Sequence, residues 1–132
     1  MKNSDTHQST LPTSLLPWLT VQDGEKAVSF YKAAFGAKEV YRLDEPGAGV
    51  VVRLEVGAAQ FWLSDGVDNA SGSLGGGSVR MILMVKDPYP LFAQALAAGA
   101  TEIFPVGEDH GWRLGRLMDP FGLHWEIGCE LE

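Results

Sequence analysis

The segment Pro17-Trp18-Leu19-Thr20-Val21-Gln22-Asp23 is an apolar run that ends in an acid, and it leads into Phe30-Tyr31-Lys32-Ala33-Ala34-Phe35-Gly36. About 64 residues later the pattern occurs again, as Met81-Ile82-Leu83-Met84-Val85-Lys86-Asp87 followed by Phe92-Ala93-Gln94-Ala95-Leu96-Ala97-Ala98-Gly99. In each copy the helix-like part ends at a glycine. The chain therefore contains an internal repeat, a pattern that indicates two similar structural units.

The remainder of each copy corresponds as well. Arg53-Leu54 and Phe61-Trp62-Leu63 in the first copy have counterparts in Arg116-Leu117 and Trp125-Glu126-Ile127 in the second. Each unit is too small to bury a core by itself, so the two units must pack together. We expect a functional site where they meet.

Both copies predict the same order of elements. In the first module we expect one strand, one helix and three further strands, at 15–21, 25–35, 40–43, 49–56 and 59–64. In the second module the same elements fall at 79–85, 89–98, 102–105, 112–118 and 123–129. The predicted fold class is α+β, with two tandem β-α-β-β-β modules over about residues 15–65 and 79–130.

Composition limits the partners and the compartment. The chain has 132 residues, a net charge of −7 and one cysteine, Cys129. We expect no nucleic-acid partner and no membrane partner, because the chain is acidic and has no apolar run of about 18 residues. A lone cysteine without a disulfide favours the cytoplasm. Residues 1–10 are polar and predict a disordered tail, and residues 11–132 predict a single domain.

Several short motifs resemble the vicinal-oxygen-chelate superfamily, which includes glyoxalase I, extradiol dioxygenases, fosfomycin-resistance enzymes and bleomycin-binding proteins. They are Val21-Gln22-Asp23, Phe30-Tyr31, Phe35-Gly36-Ala37, Ala98-Gly99-Ala100 and Asp119-Pro120-Phe121-Gly122. The resemblance covers residues 15–130 and is nearest to the small PhnB-like members. It implies curled mixed sheets around a cleft, and a homodimer.

The resemblance also implies four metal-ligand positions, on the first and last strand of each module. In this chain they fall on Leu16, Trp62, Arg80 and Glu126. Only Glu126 has a side chain that binds a metal, and the arginine would repel a cation. We therefore expect a protein without a metal or another cofactor.

No catalytic residue can be assigned from the sequence. Gly75-Gly76-Gly77 lacks the lysine of a phosphate-binding loop, and Cys129 has no evident activating partner. His124 and Glu126 lie on one strand face, where such a pair is more often a structural contact than an acid/base couple. The residues favour binding over catalysis.

The candidate binding residues are aromatic or polar side chains that strand alternation, or the approach to the Asp119 turn, brings towards the cleft. They are Trp18, Gln60, Trp62, Arg80, Trp112, Arg113, His124 and Glu126. Gly111-Trp112-Arg113 resembles the Trp-Gly-Arg that bleomycin-binding members carry near the same turn. The alternative is that these aromatic residues fill the core or a dimer interface. Arg80 and Glu126 are predicted to face each other, partly buried, as a bidentate ion pair.

Three functions remain open at this point. The first is a metal-free protein of the bleomycin-resistance type that binds an aromatic or apolar small molecule, such as an antibiotic, in a dimer cleft. The acidic surface would suit a cationic ligand. The second is a metal-dependent lyase, isomerase or dioxygenase with an atypical site, or a metal-free enzyme that uses Glu126 as a base. The third is a regulatory or interaction module whose cleft is vestigial.

Overall fold

A computed structural model describes residues 14–66 and 79–132. The predicted tail and most of the glycine-rich segment between the modules lie outside the described residues. The first module consists of β1 (Trp18–Val21), α1 (Gly24–Phe35), β2 (Lys38–Glu45), β3 (Gly49–Val56) and β4 (Ala59–Asp65). The second consists of β5 (Met81–Met84), α2 (Pro88–Ala98), β6 (Thr101–Asp109), β7 (Trp112–Met118) and β8 (His124–Glu130). Neither described helix is long and apolar enough to cross a membrane.

The strands form two sheets with the same topology. Each sheet has four strands, in the orders β1-β4-β3-β2 and β5-β8-β7-β6. The first strand of each module pairs in parallel with the last, and the other pairings are antiparallel. The predicted α+β class and the repeated β-α-β-β-β order are confirmed.

Several strand boundaries differ from the prediction by one to four residues, and the two largest differences involve a proline. The strand predicted from residue 15 begins only at Trp18, after Pro17, which has no N–H to donate; its carbonyl oxygen accepts a hydrogen bond from the Trp62 N–H. In the second module, β6 continues through Pro105 to Asp109. This is tolerated because β6 is an edge strand whose register shifts on either side of Phe104.

Both helices begin and end at the residues that the sequence indicates. The Asp23 carboxylate accepts a hydrogen bond from the Lys26 N–H at 3.1 Å, and the Asp87 carboxylate accepts one from the Tyr89 N–H at 3.2 Å. Such N-caps satisfy amide groups that the helix leaves unpaired. The first helix ends at Gly36, which has a φ of 71° that favours glycine.

The two modules share one hydrophobic core. Alternate strand residues, such as Leu54 and Leu63 in the first sheet and Leu117 and Ile127 in the second, are fully buried in it. The other side of each sheet therefore points away from the core, and the sheets do not close around a common cleft within one chain. We call the outward side with Trp18, Tyr41, Arg53 and Trp62 the first open face. The second open face carries Ile82, Phe104, Arg116 and Glu126.

A buried carboxylate joins the modules. Asp119 is 1% exposed, and its Oδ2 accepts hydrogen bonds from the Tyr31 hydroxyl at 2.5 Å and the Trp125 indole N–H at 2.9 Å. Its Oδ1 accepts from the backbone N–H groups of Phe121 and Leu123, each at 2.9 Å. Burial and the neighbouring carboxylate raise the pKa of Tyr31 well above its usual value. The Phe30-Tyr31 and Asp119-Pro120-Phe121-Gly122 motifs thus belong to one contact between α1 and the β7–β8 turn.

Candidate ligand-binding site

One row of side chains crosses the whole first open face. Strand pairing places Tyr41 opposite Arg53, Arg53 opposite Trp62, and Trp62 opposite Trp18. The row therefore runs from the edge strand β2 through β3 and β4 to the other edge strand, β1. We call it the first row.

The aromatic members of the first row contact one another. Trp18 and Trp62 are stacked, with ring centroids 5.5 Å apart and planes 19° apart. Tyr41 meets Trp62 edge to face at 5.5 Å. The indole N–H of Trp18 donates to the Ser64 hydroxyl at 3.0 Å, which fixes the orientation of the ring. Trp18 is nevertheless 53% exposed, so a large aromatic surface is accessible on this face.

Arg53 lies within this aromatic group. Its Cζ is 5.1 Å from the centroid of the Trp62 ring, a cation–π distance. Its Nε is buried and has no hydrogen-bond partner among the described residues. A buried donor without a partner costs free energy, and such groups are uncommon in folded proteins. The cation–π contact offsets only part of that cost.

A β-bulge gives the first row its tyrosine. Glu39 pairs with Leu54, but the next pairing joins Tyr41 to Arg53, so Val40 is an extra residue in β2. An extra residue reverses the alternation beyond it. Tyr41 consequently lies on the open face, where unbroken alternation from Glu39 would have put Val40.

The sequence prediction included Trp18 and Trp62 but missed Tyr41 and Arg53. The available signal for Arg53 was its place one residue before the buried Leu54, on the same side of the sheet as Trp62. The predicted Gln60 also lies on this face, where its side-chain amide donates to Glu55 Oε2 at 3.0 Å.

The second open face holds the predicted ion pair. Arg80 Nε donates to Glu126 Oε2 at 2.8 Å, and the side chains are 40% and 15% exposed. Their position on one side of the sheet is confirmed. Glu126 is partly buried as predicted, whereas Arg80 is exposed. The pair can be bidentate, but among the described residues the contact is made through Nε alone.

A second arginine lies beside this pair. Arg116 is directly opposite Glu126 in the strand register, and its Nε donates to His124 Nδ1 at 3.0 Å. An Nδ1 that accepts a hydrogen bond carries no proton, so the His124 ring in this arrangement has its proton on Nε2. The predicted His124 is therefore engaged with Arg116, a residue that sequence reasoning missed.

The two predicted residues at the start of β7 lie on opposite sides of the sheet. Trp112 is partly exposed, and strand alternation puts it on the same side of β7 as Arg116, which is the second open face. Arg113 lies on the helix-covered side: it is paired with Glu108, and its Cζ is 5.9 Å from the ring centroid of Tyr89 in α2. The hydrogen bonds to Glu108 raise the pKa of Arg113. Arg113 does not join the other candidate residues.

An apolar cavity lies where the modules meet. Its volume is about 450 Å³, and its lining includes Leu16, Gln60, Ile82 and Trp125. A site was expected between the modules, and the structure has an apolar cavity there. No charged side chain of the described residues lines this cavity. The charged candidates lie on the two open faces.

The donor set does not fit the metal that the resemblance implies. Leucine and tryptophan offer no ligand atom at two of the four positions, and Arg80 occupies a carboxylate oxygen of Glu126 with its own charge. Within residues 14–66 and 79–132, no three His, Cys, Asp or Glu side chains come together to hold a metal ion.

Comparison with known proteins gives consistent matches. A family model described as a glyoxalase-like domain matches residues 18–128. An uncharacterized protein of Mycobacterium tuberculosis strain H37Rv is 35% identical, over 96% of this chain and 80% of its own.

Solved structures with the same fold extend this result. A gene product of Arabidopsis thaliana is 29% identical, with a TM-score of 0.68 over 89% of this chain and 99% of its own. FosX, a fosfomycin resistance protein of Listeria monocytogenes, superimposes with a TM-score of 0.75 over 92% of this chain and 95% of its own. At 12% identity FosX shows a common fold alone. The fold is that of the vicinal-oxygen-chelate superfamily, and the PhnB-like subtype stays a prediction.

Proposed function

Since this chain belongs to the glyoxalase-like domain family, we propose that it is a metal-free small-molecule-binding protein. The ligand is an aromatic molecule held between the first open face of one chain and the second open face of another. The observation that carries the proposal is the first row, in which two stacked tryptophans and a tyrosine remain accessible around an arginine.

A homodimer would bring the two open faces together. Each face exposes large apolar side chains: Trp18, Tyr41 and Leu43 on the first, and Ile82, Met84 and Phe104 on the second. A two-fold axis that places the first face of one copy on the second face of its partner makes the same contact twice. Both sets of apolar side chains are then buried in both copies. Light scattering at micromolar concentration should then give twice the mass of the chain, and a monomer mass would contradict this arrangement.

The second open face would supply the polar side of the site. Glu126 holds Arg80 in place, and Arg116 is held by His124. Each arginine uses Nε in its contact, so the remaining guanidinium N–H groups can donate to ligand oxygens. Binding sites of this type combine apolar walls with a few oriented polar groups.

The proposal that ligand binding needs no metal rests on side-chain chemistry. If the chain nevertheless binds one, Glu126 is the only candidate ligand among the four positions. Elemental analysis of protein purified without chelators should find well under one divalent metal per chain. One bound metal per chain, lost in Glu126→Ala, would favour the enzymatic alternative.

Ligand binding is tested with Trp62, which contacts every other member of the first row. We expect planar aromatic compounds to quench tryptophan fluorescence and to give a saturable calorimetric titration with the wild-type protein. Trp62→Ala should weaken that binding by about 5- to 160-fold, since stacking on one aromatic ring contributes about 1–3 kcal/mol. Tyr89→Ala removes an exposed aromatic side chain on α2 and should leave the affinity unchanged. A wild-type protein that binds no planar aromatic compound contradicts the proposal.

A further inference from the structure

The geometry of Arg53 points to a ligand of one chemical class: a planar aromatic carboxylate. Its rings stack in the first row, and its carboxylate accepts hydrogen bonds from the Arg53 guanidinium. This inference rests on the proposed function and specifies the ligand of the same site.

The first reason is the unused donor. Arg53 Nε is buried beside the aromatic rings, and the described residues offer it no acceptor. Nε itself is covered, but the side chain as a whole is only partly buried, so a ligand can approach the terminal N–H groups of the guanidinium from the open face. A carboxylate is the acceptor whose planar geometry matches this group, and its charge-assisted hydrogen bonds are stronger than those of a neutral oxygen.

The second reason is the corresponding row of the other module, which we call the second row. On the second open face, Phe104 is opposite Arg116, Arg116 is opposite Glu126, and Glu126 is opposite Ile82. The row has an aromatic side chain, an arginine and then a carboxylate. In the first row the residue next to the arginine is Trp62. Where the second module has the carboxylate of Glu126, the first module has the aromatic ring of Trp62. A ligand with both a ring and a carboxylate would stack on Trp62 and supply the missing carboxylate to Arg53.

The third reason is the sign of the charge around the site. The proposed dimer site would contain the guanidinium groups of Arg53, Arg80 and Arg116. It would also contain the carboxylates of Glu55 and of Glu126, which is paired with Arg80. The site is therefore more basic than a chain whose net charge is −7 would suggest. We therefore expect an anionic ligand in place of the cationic one that the net charge suggested. Nearby charges act on the ligand more strongly than distant surface charges, which salt screens.

The test compares three probes of nearly identical shape: 2-naphthoate, the neutral 2-naphthamide and the cationic 2-naphthylmethylammonium. Isothermal titration calorimetry at pH 7.5 gives Kd for each with the full chain. We expect 2-naphthoate to bind at least about tenfold tighter than either of the other two. In Arg53→Met this preference should fall to less than about twofold, while the affinity for 2-naphthamide stays the same.

Arg113→Met is the matched control, because it removes an arginine that lies on the helix-covered side of its sheet. It should keep the full preference for 2-naphthoate. If Arg53→Met and Arg113→Met reduce the preference equally, the effect is one of net charge and the inference is wrong.

The remaining outcomes separate this inference from the proposed function. Equal affinity for all three probes overturns the carboxylate assignment and leaves an aromatic-binding protein. No binding of any probe overturns both. If Arg53→Met changes a dimer into a monomer by light scattering, the partner chain supplies the acceptor for Arg53, and the carboxylate assignment is wrong.

Discussion

The two open faces have the same backbone plan and different chemistry. Each is crossed by a row of four residues that runs through equivalent strands, with an arginine at the second position of both rows. In the second row the next residue is Glu126, whereas in the first it is Trp62. Arg116 donates a hydrogen bond to His124, whereas Arg53 lies against an aromatic ring with a buried Nε that has no partner among the described residues.

This difference shows which parts of the repeat the fold requires. The buried positions on either side of the rows remain apolar in both modules: Leu54 corresponds to Leu117, and Leu63 to Ile127. Residues that face outward are free of this packing constraint, so one module presents stacked aromatic rings and the other presents the Arg80–Glu126 ion pair. The proposed ligand site would combine the two faces.

The largest expected effect comes from removing the link that holds the two modules, and therefore the two faces, together. Asp119→Ala leaves the hydroxyl of Tyr31 and the indole N–H of Trp125 buried without an acceptor. We expect the free energy of unfolding to fall by about 3–5 kcal/mol, measured by urea denaturation. Asp109→Ala, which removes an exposed carboxylate beside His110, should change it by less than about 0.5 kcal/mol. A loss below about 1 kcal/mol in Asp119→Ala would show that the network does not join the modules.

The sequence predicted the parts of this molecule that follow from regular periodicity. The repeat, the order of helix and strands within each module, and the pairing of Arg80 with Glu126 each depend on local spacing or on strands that are neighbours in both modules. The motifs around Tyr31 and Asp119 were noticed as marks of resemblance. Their direct contact depends on how the modules pack, which no local pattern encodes.

The first row was only partly predictable for a similar reason. Tyr41 reaches the open face because of a bulge, and a single extra residue in an edge strand leaves no clear mark on hydrophobic alternation. Arg113 lies apart from the other candidates, since the motif near the Asp119 turn gives its position along the chain and not its side of the sheet. The sequence also gave no account of which donors would lack acceptors, since that depends on the final positions of side chains.

A second prediction converts the first row into the second. Trp62→Glu places a carboxylate next to Arg53, as Glu126 is placed next to Arg116 in the other module. Compared with Trp62→Gln, which has nearly the same shape without the charge, it should be more stable at pH 7 by about 1–2 kcal/mol. Adding Arg53→Met to both variants should remove the difference. If the two variants are equally stable with Arg53 present, the rows are not equivalent in the way described.

The smallest effect concerns the glutamate that precedes the register shift in each edge strand. Glu39, in the edge strand of the first sheet, is paired with Arg42 and Lys32, and these contacts lower its pKa from 4.5 to about 2. Glu102 holds the corresponding position in the second sheet, and it is exposed. A carboxyl group whose pKa is lower in the folded state stabilises that state above pH 4.5, and this contribution is lost as the pH falls towards 2.

Glu39→Gln should therefore lower the free energy of unfolding at pH 7 by about 1 kcal/mol, a value reduced by solvent screening of a surface cluster. The difference from wild type should shrink between pH 4.5 and pH 2. Glu102→Gln removes an exposed carboxylate and should change the free energy of unfolding at pH 7 by less than about 0.5 kcal/mol. Equal losses in the two variants, measured by urea denaturation at pH 7, would contradict the assignment.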